Sequence, residues 1–221
     1  MIQIYFWKIR RHHIPWAIAR MALDRITLWQ MKSITFWKLL GAGKGETFTP
    51  RDADPLRWGL LIVTKQESQS DINESALVKR WREKAISEFS ADLIPISIHG
   101  SWSRKEPFAG VESADSNWSG SIAAITRARI KWRKNLIFWR SVPPVTSSLH
   151  NSNGLIAAIG IGEAPIGLQG TFSLWSSADA VRQFAYRGEA HKAAIAATHR
   201  ENWYAEEMFA RFAVTRSSGD L

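Results

Sequence analysis

The chain contains no cysteine. That one absence excludes disulfides, thiolate metal sites, a cysteine nucleophile and a thiolate-ligated haem, so any metal or haem must use histidine, carboxylate or tyrosine. No apolar run approaches the roughly eighteen residues a membrane-crossing helix needs. The opening MIQIYFWKIRRHH meets Lys8, Arg10 and Arg11 before a signal-peptide core could form, which gives no expectation of secretion. Acidic charge is the scarcer sign, with 20 Asp and Glu against 29 Lys and Arg and a formal net charge of +9. Such an excess favours an anionic partner, a phospholipid surface or a nucleic acid, and says nothing about fold.

Familiar catalytic signatures are also missing. There is no Gly-x-Ser-x-Gly elbow and no His-Glu-x-x-His helix. The neighbours His12 and His13 point apart on any regular element, and so do Glu206 and Glu207. The glycine-rich GAGKGETFTP (41–50) is no phosphate-binding loop, because Gly45 follows Lys44 where a hydroxyl residue is required. GIGEAP fails the dinucleotide fingerprint at Pro165. No aromatic RNP pattern accompanies the basic residues, which are scattered, so no specific nucleic-acid partner is expected.

What is present is a globular composition, 221 residues with 45% hydrophobic and 12 Trp. Ile2–Ile9 reads as a strand, Trp16 to Leu23 as a helix entered at Pro15, and Thr35 to Leu40 as a second strand running into the glycine-rich loop. Trp58 to Thr64 is a third strand. Ile72 to Phe89 reads as a long helix with the stripe Ala76, Leu77, Trp81, Ala85 and Phe89, and Asp92 to Trp102 as a fourth strand with an edge or bulge at Pro95. The order strand, helix, strand, strand, helix, strand is ferredoxin-like. It returns after a polar linker: a strand at Ser121 to Lys131, a short helix from Leu136 broken at Pro143 and Pro144, and strands at Leu155 to Ile159 and Gly170 to Trp175. A long helix over Ala178 to His199 and a strand over Glu207 to Thr215 complete the set. The reading is α+β: tandem ferredoxin-like halves at 1–102 and 121–216, a linker at 103–120, a tail at 217–221, and a barrel formed by the two sheets. On the last helix, Phe184, Gly188, His191 and Ile195 share one face, so His191 is either a satisfied core histidine or a ligand.

Five stretches, FWKLLGAGKGETFTP (36–50), LIPISIHGSWSRKEPF (93–108), IAAITRARI with FWRSVP (122–143), GIGEAPIGLQGTFSLW (160–175) and AHKAAIAATHRENWYAEEMFARF (190–212), together resemble the spheroidene monooxygenase family of carotenoid biosynthesis. The resemblance implies a fold related to the dimeric α/β barrels. It also implies a haem-dependent (iron) monooxygenase that uses O2 and electrons from a ferredoxin-type donor to make a ketone on an acyclic carotenoid. Within it His191 is the implied axial haem ligand, and Trp203, Glu206 and Arg211 match the closing motif. Arg127 and Arg129, on the strand opening the second half, are the candidate catalytic donors. A cytoplasmic protein is expected, free or lying on the inner face of the membrane where carotenoids reside. The alternative is a non-catalytic barrel that binds haem or another apolar ligand.

Overall fold

The computed structural model describes residues 1–45, 47, 49–65, 72–115, 117–163, 168–187, 198 and 200–221. Eight strands, β1 (Ile2–Ile9), β2 (Ile34–Gly43), β3 (Ala53–Thr64), β4 (Ala85–Gly100), β5 (Ile122–Ile130), β6 (Leu155–Gly162), β7 (Leu168–Trp175) and β8 (Tyr204–Ser218), close into one antiparallel barrel. Among the described residues the α-helices that connect them are α1 (Ile14–Gln30), α2 (Ala76–Lys84), α3 (Asn135–His150) and α4 (Ala178–Arg187), and residues 198, 200 and 201 are helical as well. Each half runs strand, helix, strand, strand, helix, strand. The order around the barrel, β1-β3-β2-β6-β7-β5-β8-β4, keeps each half as its own four-stranded sheet. The fold is thus a single-chain form of the dimeric α/β barrel.

The two sheets meet at unequal seams. β4 and β8 pair along a long register from Ser90↔Ser218 to Gly100↔Met208, so β8 extends into the segment that reads as a tail in sequence. The register shifts between Pro95 and Ser97, a bulge that accommodates the missing amide of Pro95 inside a closed sheet. β2 and β6 touch only through Gly41↔Gly162, Ala42↔Ile161 and Gly43↔Gly160. Here the chains come close because side chains are absent: a Cβ on Gly160 would stand 3.1 Å from the amide nitrogen of Gly45, which itself has φ +75°. At both seams a strand pairs with its counterpart from the other half, the self-complementary arrangement of a two-fold interface.

Two sequence expectations shift. The helix expected from Ile72 to Phe89 ends at Lys84, and Ala85 and Phe89 belong to β4. A spacing of four satisfies both the helical and the two-residue period, and pairing of this segment with β1 decides in favour of strand. The helix expected to break at Pro143 and Pro144 continues to His150. Both prolines lie on its exposed side, while Val142, Thr146 and Leu149 carry the buried stripe past them. The long helix expected over Ala178 to His199 is described as far as Arg187, and most of its remainder lies outside the described residues.

The barrel interior is filled by side chains. Ile4, Phe6, Leu61, Phe89, Ile125, Phe172 and Phe212 form one cluster between the sheets. Phe108, from the polar-looking stretch after β4, joins it and meets Phe212 edge-on with centroids 5.0 Å apart.

Candidate functional site

At one end of the barrel the inward alternation of four strands turns from apolar to charged. Phe36 and Leu40 flank Lys38 on β2, Ile125 precedes Arg127 on β5, Ile161 precedes Glu163 just past β6, and Met208 follows Glu206 on β8. Arg127 is buried and bridges both acids, through Nη2 to Glu163 Oε1 at 3.0 Å and through Nη1 to Glu206. Glu163 also pairs with Lys38 and accepts from Trp102 Nε1 at 2.6 Å. Ser101 Oγ (3.1 Å) and the Arg104 amide (2.5 Å) donate to Glu206. Residues 103 and 104 adopt left-handed φ of 56° and 59° to bring that amide over the barrel end, with Ser103 Oγ accepting from Lys38 at 2.6 Å. The Trp102 ring lies beneath both cations, 5.8 Å from Lys38 Nζ and 5.7 Å from the Arg127 guanidinium carbon.

Burial alone would push Glu206 up, but the Arg104 amide, Arg127 and Ser101 outweigh it and hold its pKa at about 2. Glu163 is lowered for the same reason, burial being opposed by Lys38, Trp102 and Arg127. Both acids are therefore ionised at neutral pH. Their charge is answered within the network, as buried charges require.

A second feature lies on the outer face of the second sheet. There β5 presents Ala124, Thr126 and Ala128, paired with Ser173, Thr171 and Gln169 of β7. At one end of this face Leu149, Trp175 and Val181 pack with Phe184, whose ring stands 5.4 Å from that of Trp175. At the other end Phe138 of α3 meets Trp203 edge-on at 5.5 Å. Between these aromatic ends Ala124, Thr126 and Thr171 are partly buried. The indole Nε1 of Trp139 and Oδ1 of Asn135, both on α3, are buried and have no hydrogen-bond partner among the described residues.

Of the residues singled out in the sequence, His191 lies outside the described residues. Arg127 faces the interior with two carboxylates already on it, and Arg129, at the rim and nearly half exposed, stands 3.8 Å from Glu206. Trp203 is buried and donates to Thr198 Oγ1 at 3.1 Å, while Arg211 Nε donates to Ser97 Oγ at 2.8 Å across the β4–β8 seam. Lys38, Trp102 and Glu163 were not singled out. Yet each of the five stretches carrying the family resemblance contributes one member of the network: Lys38, Trp102, Arg127, Glu163 and Glu206. The stretches were legible, and their convergence was not. Among the described residues no group of three or more His, Asp or Glu could hold a metal ion, and no helix is long and apolar enough to cross a membrane.

The chain is 34% identical over 208 residues to the spheroidene monooxygenase of Rhodobacter capsulatus, covering 93% of this chain and 86% of that protein. The chain belongs to the spheroidene monooxygenase family. It is also 33% identical over 207 residues to the Cereibacter sphaeroides member and 35% identical over 179 residues to that of Rubrivivax gelatinosus. These alignments cover 92% and 80% of this chain, and it spans 63% and 67% of those proteins' lengths. No family model matches it. Among solved structures it superposes on an aldoxime dehydratase with a TM-score of 0.60 at 9% identity, covering 96% of this chain and 80% of that one. A second aldoxime dehydratase, complexed with butyraldoxime, superposes with a TM-score of 0.59, also at 9% identity, over 96% and 78%. At such identities the likeness speaks for the family's fold alone.

Proposed function

We propose that this chain is a haem-dependent monooxygenase that introduces a keto group into an acyclic carotenoid, using O2 and electrons from a ferredoxin-type donor. The observation that carries the reading is the 34% identity with the Rhodobacter capsulatus spheroidene monooxygenase over 86% of its length. Two hydroxylations at one carbon followed by loss of water would deliver the ketone.

The outer face of the second sheet suits a flat prosthetic group. Its middle carries the small side chains Ala124, Thr126, Ala128 and Thr171, and the aromatic pairs at either end would exclude water. In this reading His191, four residues beyond α4 in sequence, would hold the iron through an imidazole nitrogen. Haem, when bound, would supply the oxygen activation that the protein's own side chains lack. Arg127 and Arg129, the candidate donors, both reach Glu206 at the beginning of β8, so in this reading they would position the strand that follows the His191 segment and not donate at the outer face. The rival reading is a non-catalytic barrel that binds haem or another apolar ligand, and of its forms an apolar ligand in the barrel interior is disfavoured by the side chains that already occupy it.

The test is the absorption spectrum of protein produced with ample haem, for the wild type and His191→Ala. A Soret band that shifts or vanishes in the variant supports the ligand assignment, and ketone formation from an acyclic carotenoid with reductant and O2 supports turnover. A folded wild type that stays colourless would overturn the haem reading. A coloured protein without product would leave it a haem binder.

A further inference from the structure

Helix α1 carries its polarity the wrong way round for a surface helix. Its buried side includes its only acid, Asp24, which pairs with Arg20 and Arg80 and accepts from Trp81 Nε1 at 2.8 Å. Its outer side presents Pro15, Ile18, Ala22, Leu23, Ile26 and Trp29, all exposed. Ile18 and Ile26 are 58% exposed and Trp29 81%. The spacing of 15, 18, 22, 26 and 29 draws a single stripe of about 20 Å along the helix. The exposed Lys, Arg, Asp and Glu along this segment of chain are Arg10 and Arg11 before the stripe, Arg25 beside it and Lys32 after it, all basic.

We propose that this face of α1 docks on an anionic phospholipid bilayer, with the helix lying in the plane of the interface. An apolar stripe ending in Trp and carrying Lys and Arg along its own segment matches the apolar depth and negative surface of such a membrane. A second copy of the chain fits less well, since a two-fold contact would bring the same basic residues together. A folded protein partner would meet the convex side of a lone helix instead of a groove. Docking would also place a cleft at the lipid surface: Arg25 and Trp29 line the mouth of a cleft of ≈ 380 Å³ that passes Phe36 and Lys38 and reaches Glu163. The proposal stands independently of the oxygenase reading, and its test reads partition and not turnover.

The full chain would be sedimented with vesicles of phosphatidylcholine alone and of phosphatidylcholine mixed with phosphatidylglycerol. The expected result is binding to the mixed vesicles, reduced about tenfold or more by Ile18→Ser/Ile26→Ser/Trp29→Ser and also reduced by Arg25→Glu, with thermal melting unchanged. Lys79→Glu, an exposed charge on α2, should leave binding nearly intact. The proposal fails if the wild type does not bind, if the triple variant binds like the wild type, or if Lys79→Glu weakens binding as much as Arg25→Glu, which would mean diffuse charge attraction. It also fails if the triple variant instead dissolves a wild-type dimer in sedimentation velocity, because a second copy would then own the face.

Discussion

The two halves of the barrel share one order of elements and differ in what lies between sheet and helices. In the first half that layer is filled. Tyr5 stacks on Trp7 at 5.4 Å, Trp7 on Trp81 at 5.3 Å, and Trp16 meets Trp81 edge-on at 4.9 Å, with Leu60, Ile62, Leu77 and Val78 closing the gaps. In the second half the corresponding sheet face carries Ala124, Thr126, Ala128, Thr171 and Ser173, and the large side chains stand at its ends. Repeating a fold twice in one chain lets one copy carry a layer of large aromatics while the other builds the same layer from small side chains.

Removing the filling from the first half should have the largest effect. Trp81→Ala deletes the ring on which Trp7, Trp16 and Trp58 converge and takes the indole donor from buried Asp24, so chemical denaturation should show a loss of about 3–5 kcal/mol. A loss below about 1 kcal/mol would mean that the first half is no more tightly built than the second.

Next in size is the network where the halves meet. Glu206 drops from an ordinary 4.5 to about 2 on folding. A depressed carboxylate stabilises the fold above its unfolded pKa, and that contribution disappears as pH falls through the folded one. Glu206→Gln should therefore cost about 3 kcal/mol at neutral pH, with the gap between wild type and variant shrinking below pH 4.5 and closing near pH 2. Urea titrations across that range would measure it, and a gap independent of pH would deny Glu206 its ion pairs.

The smallest effect on stability, and the sharpest test of the comparison, comes from filling the second layer. On the haem reading proposed above, Thr126→Trp should shift stability by no more than about 1–3 kcal/mol and abolish haem uptake, read as loss of the Soret band. Undiminished uptake would show that this face is not where the group sits.

Much of this architecture was legible in the sequence. Each strand was found, because bulky branched and aromatic runs mark strands locally, although β2, β3, β4, β6, β7 and β8 extend beyond the expected ends. Helix ends were harder at Phe89, where two periods coincide, and at Pro143, where solvent tolerates the lost amide bonds. The network was hardest. Arg127 and Arg129 are two apart on one strand and look alike in sequence, yet the first lies deep in the barrel and the second at its rim.

The sequence by itself determined the absence of thiol chemistry, the basic charge, the doubled order of elements and the family resemblance, all of which are written in composition and in contacts a few residues apart. Only the tertiary structure decided which charges meet and which side chains each sheet face carries. Lys38 and Glu163 are 125 residues apart, and Arg127 and Glu206 are 79 apart. No local period reports such distances. They are set by how the sheets close: the register at each seam turns every second side chain inward, and the end of the barrel brings five separate stretches to one place.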